Sequence, residues 1–353
     1  MNARMTTELG AIELKNPVMC GSGEMVIDEA GIRSALEAGA AAVFMKSTNE
    51  SDVARAQLAR SDYALLDSEW REVDWDFRPP PDASLFCRSG LTPQPFDAWL
   101  EMLATTDAYA REHDAFVIPS LIPADLDTAI TYARRTEEAG ARVLELNVAA
   151  SHADEASQGA LTLERSGDGV KRILSRFREA IDIPIWVKLT GQSGNVTELA
   201  KGARDGGADA VTLAGRFMAF VPDVETMRPV LGTHAGFGGP WALPITCRFL
   251  VEARKELGAS FPLIGTNGAR SRLDVIRFLL SGASAVQMTS AVFAGGFGVL
   301  RGSIDAVDRY LEEHATEASA IVGAAADRVA TYAEQEERPG YWRKFVPEGS
   351  SDA

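Results

Sequence analysis

One unit, a short apolar run followed by a helical stretch, recurs eight times along this 353-residue chain. The runs are continuously apolar, as expected of strands that are buried on both faces of a parallel sheet. They are PVMCGS from Pro17, AAVFMKS from Ala41, FVIPSL from Phe116, RVLELNV from Arg142, IPIWVKL from Ile183, ADAVTLA from Ala208, FPLIGT from Phe261 and ASAVQMTS from Ala283. Eight such units favour an α/β fold of the (β/α)8 TIM-barrel type, with a doubly wound open sheet as the alternative.

Four of the helical stretches end alike, with a glycine between the helix and the next strand. Gly39, Gly140, Gly207 and Gly282 suit the left-handed conformation that closes a helix. We therefore expect residues 1–314 to form the barrel. The Ala-rich residues after it predict an extra C-terminal helix, so that residues 315–353 form a helix and a tail that packs on the barrel.

Composition excludes several classes of protein. The net charge of -15 argues against a broad nucleic-acid surface. The three cysteines, Cys20, Cys87 and Cys247, form no CxxC pair, so no metal or iron–sulfur site is expected. The sequence shows no signal peptide and no run of about 20 apolar residues, which predicts a cytoplasmic protein without a membrane partner. We expect a small-molecule enzyme that forms a homodimer.

The longest insertion follows the second strand, from Asp67 to Phe96, and contains several aromatic residues and a proline run. Active sites of these barrels lie at the C-terminal ends of the strands. A long loop on that side is often a lid or a wall of the substrate site. A loop with a purely structural role, or a contact between subunits of a dimer, is equally compatible with this pattern.

Glycine-rich segments follow the last two strands. GTNGARS begins at Gly265 and QMTSA at Gln287, and loops at these two positions commonly hold a phosphate through backbone N–H groups. Gly268, Thr289 and Ser290 are the expected donors. A third cluster, HAGFGGP from His234, would let a flat ring lie against the backbone at Gly236 and Gly238.

Two lysines end predicted strands, Lys46 the second and Lys188 the fifth. A buried ammonium is costly unless it is paired. A phosphate, a carboxylate or the electron-rich edge of a reduced flavin would pair with it, and such a role is favoured over a purely structural ion pair with Glu145 or another barrel carboxylate.

The motifs NPVMCGSG, FMKST, LELNV, PIWVKL, GFGGPWALP, PLIGTNG and ASAVQMTSA occur in one order from about residue 9 to residue 313. This ordered set resembles the dihydroorotate dehydrogenase family. The resemblance implies a barrel that binds FMN at its C-terminal mouth. With the residues above it gives a candidate FMN set: Ser22, Gly23, Lys46, Ser47, Asn147, Lys188, Gly236, Gly238, Asn267, Gly268, Thr289 and Ser290.

The chain departs from the family where substrate is bound. The position of the family's base, a Cys or Ser, falls on Ala150, which cannot accept a proton. The resemblance also implies substrate-binding asparagines where Cys87 and Gly215 stand, and Gly215 is followed by Arg216. We therefore assign His152, or Ser151, as the replacement base, with His152 and Cys87 also facing substrate and Arg216 anchoring an anion.

These features predict an FMN-dependent dehydrogenase or reductase of a small organic substrate other than dihydroorotate. Lys188, and with it Lys46, would stabilise negative charge on the reduced ring. Two alternatives remain at this point. One is a catalytically inactive flavin-binding partner protein, and the other a flavin-free lyase or isomerase that uses Lys188 or Lys46 as a Schiff base.

Overall fold

The structure, a computed structural model, describes residues 2–149, 166–270 and 272–347. All eight apolar runs form parallel strands, which confirms the predicted barrel. Strands β1 to β8 are Val18–Cys20, Ala42–Phe44, Phe116–Ile118, Leu144–Asn147, Ile185–Lys188, Ala210–Leu213, Leu263–Thr266 and Ala285–Met288. β8 pairs with β1. The barrel closes at the third strand, where Phe116–Ile118 pairs with β2 and the adjoining Ser120–Leu121 pairs with β4.

Eight helices follow the strands and cover the outside of the barrel. Helices α1 to α8 are Glu29–Glu37, Phe96–Glu112, Leu126–Glu138, Gly167–Arg178, Val196–Asp205, Leu243–Leu257, Arg272–Leu280 and Gly298–Glu313. The four glycines expected to close helices all have positive φ, between 93° and 110°, so this part of the prediction is confirmed. Within the described part of the chain, no helix has the length and apolar character needed to cross a bilayer.

The inside of the barrel is packed with side chains at its N-terminal end. Phe44 and Trp186 are fully buried there, with ring centroids 6.1 Å apart. An antiparallel hairpin, Thr7–Leu9 with Ile12–Leu14, closes this end by burying Leu9 and Leu14 in the same cluster. The other end is therefore the one open to a ligand.

A second sheet stands at the C-terminal end and comes from two separate insertions. Asp62–Leu66, Glu72–Val73 and Ser84–Arg88 follow β2, whereas Phe217–Ala219 and Ala235–Gly238 follow β6. These five strands form an antiparallel sheet, with Ser84–Arg88 at its centre beside Ala235–Gly238. The glycine-rich segment from Gly236 is thus a strand.

The C-terminal segment corrects one expectation. Its only α-helix among residues 315–347 is Ala318–Ile321, followed by short 3-10 turns. The helix ends because Val322 is extended and Gly323 adopts a φ of 78°. Ala318 and Ile321 are buried against the body, whereas residues 327–345 are exposed. The extra helix is therefore a single turn. The segment that follows it contacts the barrel helices through Gly323 and Ala325, which donate to the carbonyl oxygens of Leu279 and Leu280, and through the Asp327–Arg254 ion pair.

Candidate active site

The predicted site residues that the structure describes line one cavity at the C-terminal mouth of the barrel. The barrel strands form its floor, and the antiparallel sheet forms one wall through Tyr63, Leu85, Cys87 and Phe237. The described residues of the predicted site that line it are Ser22, Gly23, Lys46, Ser47, Cys87, Asn147, Lys188, Arg216, Gly236, Gly238, Asn267, Gly268, Thr289 and Ser290. Every candidate that the structure describes is therefore in the same cavity.

Glycine backbone defines the side of the cavity formed after β7 and β8. Gly268 has a φ of 127°, and a Cβ there would lie 2.5 Å from the backbone of Leu243. A Cβ at Gly238 would lie 3.1 Å from Asn267 Oδ1, so this strand lies close against the β7 loop. Ser290 begins the short helix Ser290–Gly295. The glycines therefore let these segments pack closely on each other, and the phosphate site predicted at Gly268, Thr289 and Ser290 stays a prediction.

Two amide side chains at this site are left with unused hydrogen-bonding groups. Within the described chain, neither Oδ1 nor Nδ2 of the buried Asn267 amide has a partner. Gln287 Oε1 is likewise buried without a partner, while its Nε2 donates to Glu145 at 3.0 Å. Buried polar groups are normally paired. Both residues line the cavity, so a ligand with donors and acceptors would satisfy them.

A buried polar network lies beneath the cavity floor. Glu145 on β4 is fully buried and accepts from Ser120 Oγ at 2.8 Å and from Gln287. Lys188 Nζ lies 3.4 Å from the second oxygen of Glu145. The chain continues from Ser120 to Ser47, whose Oγ atoms are 2.9 Å apart. Lys188 thus forms the ion pair with Glu145 that was the alternative to a functional role. It lies at the edge of the cavity, where it can also contact a ligand.

Lys46 also has a carboxylate partner, which sequence analysis did not identify. Its Nζ lies 3.0 Å from Glu24 Oε1, and Tyr63 donates to the same oxygen at 2.7 Å. Burial lowers the pKa of Lys46, although Glu24 opposes the shift. Burial would raise the pKa of Glu24, but the charge of Lys46 and the hydrogen bonds from Tyr63 and Lys46 outweigh it and hold that pKa below its usual range. Glu24 is therefore a carboxylate at neutral pH.

Cys87 and Arg216 meet on the wall of the cavity. Arg216 Nη2 donates to Ser89 Oγ at 2.7 Å. A Cβ on Gly236 would lie 2.2 Å from Arg216 Cδ, so the glycine makes room for the arginine side chain. Burial raises the pKa of the Cys87 thiol against the opposing charge of Arg216. Cys87 is therefore a neutral thiol rather than a ready base.

Gly215 has no space for a larger side chain. A Cβ there would lie 2.8 Å from Ala149 Cβ and 2.9 Å from the Leu189 carbonyl oxygen. An asparagine cannot stand at this position without backbone movement. The packing of the cavity therefore requires a glycine at position 215.

The remaining predicted residues are not brought to this site by the described structure. Ser151 and His152 lie outside the described residues. His234 directly precedes the strand Ala235–Gly238, is exposed and packs on Phe220 with a centroid distance of 5.5 Å. Sequence analysis missed Glu24 and Tyr63. Glu24 directly follows the Gly-Ser-Gly turn after β1, which was a detectable signal, whereas Tyr63 lies on a strand that no pattern indicated.

A (β/α)8 barrel with a polar cavity at its C-terminal mouth defines a class of ligand-binding and catalytic proteins. The family model described as dihydroorotate dehydrogenase matches residues 77–309. The chain therefore belongs to the dihydroorotate dehydrogenase family of oxidoreductases, and the resemblance seen in its motifs is confirmed.

Archaeal relatives match along most of their length. Each is a dihydroorotate dehydrogenase B (NAD(+)), catalytic subunit. The protein from Thermoplasma acidophilum is 27% identical over 315 residues, covering 88% of this chain and 95% of its own. The one from Thermoplasma volcanium is 29% identical over 301 residues, covering 84% and 90%. The one from Thermococcus kodakarensis is 27% identical over 329 residues, covering 92% and 98%.

Proposed function

We propose that this chain is an FMN-dependent oxidoreductase, a dehydrogenase or reductase of a small organic substrate other than dihydroorotate. The observation that carries the cofactor is the unpartnered Asn267 amide. It is buried between the glycine-rich segments, in the same cavity as the other eleven residues assigned to FMN. The ring of a flavin carries hydrogen-bond donors and acceptors that could pair with this amide.

The residues fit the parts of FMN in a consistent way. The backbone at Gly268, Thr289 and Ser290 would hold the phosphate, because glycine and a helix start present N–H groups there. Asn267 and Asn147 would bind polar atoms of the ring. Lys188 would place a positive charge beside it, held in position by Glu145. When bound, FMN supplies hydride exchange with a substrate carbon.

The cofactor is tested on the purified protein by its visible absorption spectrum and by chromatography of the flavin that denaturation releases. We expect non-covalent FMN. Asn267→Ala should weaken FMN binding by about tenfold, because each buried hydrogen bond lost is worth roughly 1–1.5 kcal/mol. Asn195→Ala, which removes an exposed helix cap, is the control. A colourless protein that also fails to bind added FMN would refute the cofactor assignment.

The substrate proposal depends on what the cavity lacks. Cys87 and Gly215 line it where the resemblance implies asparagines, and Gly215 has no room for one. Ala150, at the expected base position, carries no proton acceptor. We expect dihydroorotate to reduce the bound flavin slowly or not at all in anaerobic stopped-flow mixing. Rapid bleaching by dihydroorotate would show instead that the chain performs the family reaction with other groups.

A further inference from the structure

Glu24 presents one of its two carboxylate oxygens to the cavity. Its Oε1 is held by Lys46 Nζ at 3.0 Å and by Tyr63 Oη at 2.7 Å. Among the described residues no group donates to Oε2, and this atom is not among the buried atoms that lack a partner. Glu24 lines the cavity with its side chain 19% exposed. The carboxylate is therefore fixed through one oxygen and open to a ligand through the other.

The charges around this carboxylate favour a particular ligand charge. Lys46 and Arg216 contribute two positive charges and Glu24 one negative charge, while Lys188 and Glu145 neutralise each other. Glu24, Lys46 and Arg216 all line this cavity, and the positive charge of Arg216 lowers the pKa of both Glu24 and Lys46. Within the described chain the hydrogen bond from Arg216 goes to the neutral Ser89, and no carboxylate pairs with it. This cluster has one surplus positive charge, which matches a monoanion.

We propose that the substrate of this cavity is a monoanion with a hydroxyl group, whose anionic end binds Arg216 and whose hydroxyl donates to Oε2 of Glu24. This assignment rests on the proposed function in one respect, that the substrate binds in this cavity. Glu24 is then a specificity-determining residue. An acid without a hydroxyl group meets only repulsion at Glu24, whereas a hydroxy acid makes a charge-assisted hydrogen bond there.

The test is calorimetric binding of matched small acids to the purified protein. The pairs are acetate with glycolate, propionate with 3-hydroxypropionate, and butyrate with 4-hydroxybutyrate, which vary the spacing between the two ends. In at least one pair we expect the hydroxy acid to bind tenfold or more tightly, since a hydrogen bond to a charged group is worth about that factor. Arg216→Gln should weaken every acid that binds.

Glu24→Gln gives the decisive result because it should reverse the preference. A glutamine keeps its carbonyl oxygen toward Tyr63 and Lys46 and presents its NH2 group to the cavity. The hydroxy acid should then lose about tenfold in affinity while the unsubstituted acid gains. A purely structural role would weaken both acids alike. If this variant folds poorly because Lys46 is left unpaired, Glu24→Gln/Lys46→Met removes the stranded charge and should also abolish the preference.

Glu29→Gln is the control, since Glu29 pairs with Arg33 on α1 and does not line the cavity. It should bind the series as the parent does. The proposal is overturned if no member binds, if no pair differs in the parent, or if the preference survives both Glu24 variants. A colourless protein with the expected preference would refute the flavin and leave the substrate class standing.

Discussion

Removal of the Lys188 charge should destabilise the barrel far more than removal of a similar charge at the surface. Lys188 and Glu145 have side chains 10% and 0% exposed, with Nζ and Oε2 3.4 Å apart. Lys201 and Glu256 are paired at the same 3.4 Å but are 51% and 45% exposed. The two pairs therefore differ in burial at equal separation, so the comparison isolates the cost of leaving a buried carboxylate uncompensated.

Lys188→Met keeps the unbranched side chain except for its terminal ammonium and leaves the Glu145 carboxylate without its cation. Breaking a buried pair from one side costs about 3–5 kcal/mol, whereas an exposed pair is worth about 0–1 kcal/mol. With an unfolding entropy of about 2.1 cal/mol/K per residue, a chain of 353 residues loses about 1.3 °C of Tm for each kcal/mol. We expect Lys188→Met to lower Tm by about 4–7 °C, and Lys201→Met by about 1 °C or less.

The assay is thermal and urea unfolding of the parent and both variants after removal of any bound cofactor, so that a change in ligand binding does not add to the difference in stability. A Lys188→Met protein within 1 kcal/mol of the parent would refute the argument that this ion pair holds the buried carboxylate.

Three further predictions concern the mouth of the barrel. Gly268→Ala should lower the free energy of unfolding by more than about 1 kcal/mol and weaken FMN binding, because Gly268 has a positive φ and lies against the Leu243 backbone. The control is Gly302→Ala on α8, where a Cβ meets open space, and it should be neutral or stabilising by up to about 1 kcal/mol. His152→Ala should retain FMN but slow flavin reduction by about 10²–10⁴-fold in stopped-flow with the true substrate, and an unchanged rate would exclude it as the base. The free energy of unfolding should fall as the pH drops below about 4.3, as Glu24 with its lowered pKa becomes protonated, and Glu24→Gln should show a shallower fall in acid titrations.

The barrel itself was predictable because its signals are local. Each strand is a mostly apolar run, since both of its faces are buried, and each glycine cap lies within a few residues of the helix it closes. The floor of the cavity follows from this, because residues that end β2 and β5, such as Lys46 and Lys188, necessarily meet at one end of the barrel.

The wall was not predictable because its pairing is not local. Asp62–Leu66 mixes polar and apolar residues, and Ala235–Gly238 is half glycine, a composition that usually indicates a loop. Which strands pair is decided by tertiary contacts between the two insertions. For this reason the sequence did not predict that Tyr63 lines the cavity or that it forms a hydrogen bond with Glu24. The prediction of a longer C-terminal helix was wrong for a different reason. The alanines of this segment favour a helix, but Gly323 interrupts it.

The joining of two insertions into one sheet also has a kinetic consequence. Within the barrel, Met19 pairs with Ala42, 23 residues away, whereas the sheet pairs Phe86 with Phe237, 151 residues away. The longer loop costs roughly 1.7 kcal/mol more to close, about a 17-fold slower encounter if the rest is equal. The wall should therefore assemble after the first barrel strands, and in pulsed hydrogen exchange during refolding the amides of Ser84–Arg88 should gain protection later than those of β1 and β2. Early folding intermediates would then have barrel strands in place but no wall against which a substrate could be held.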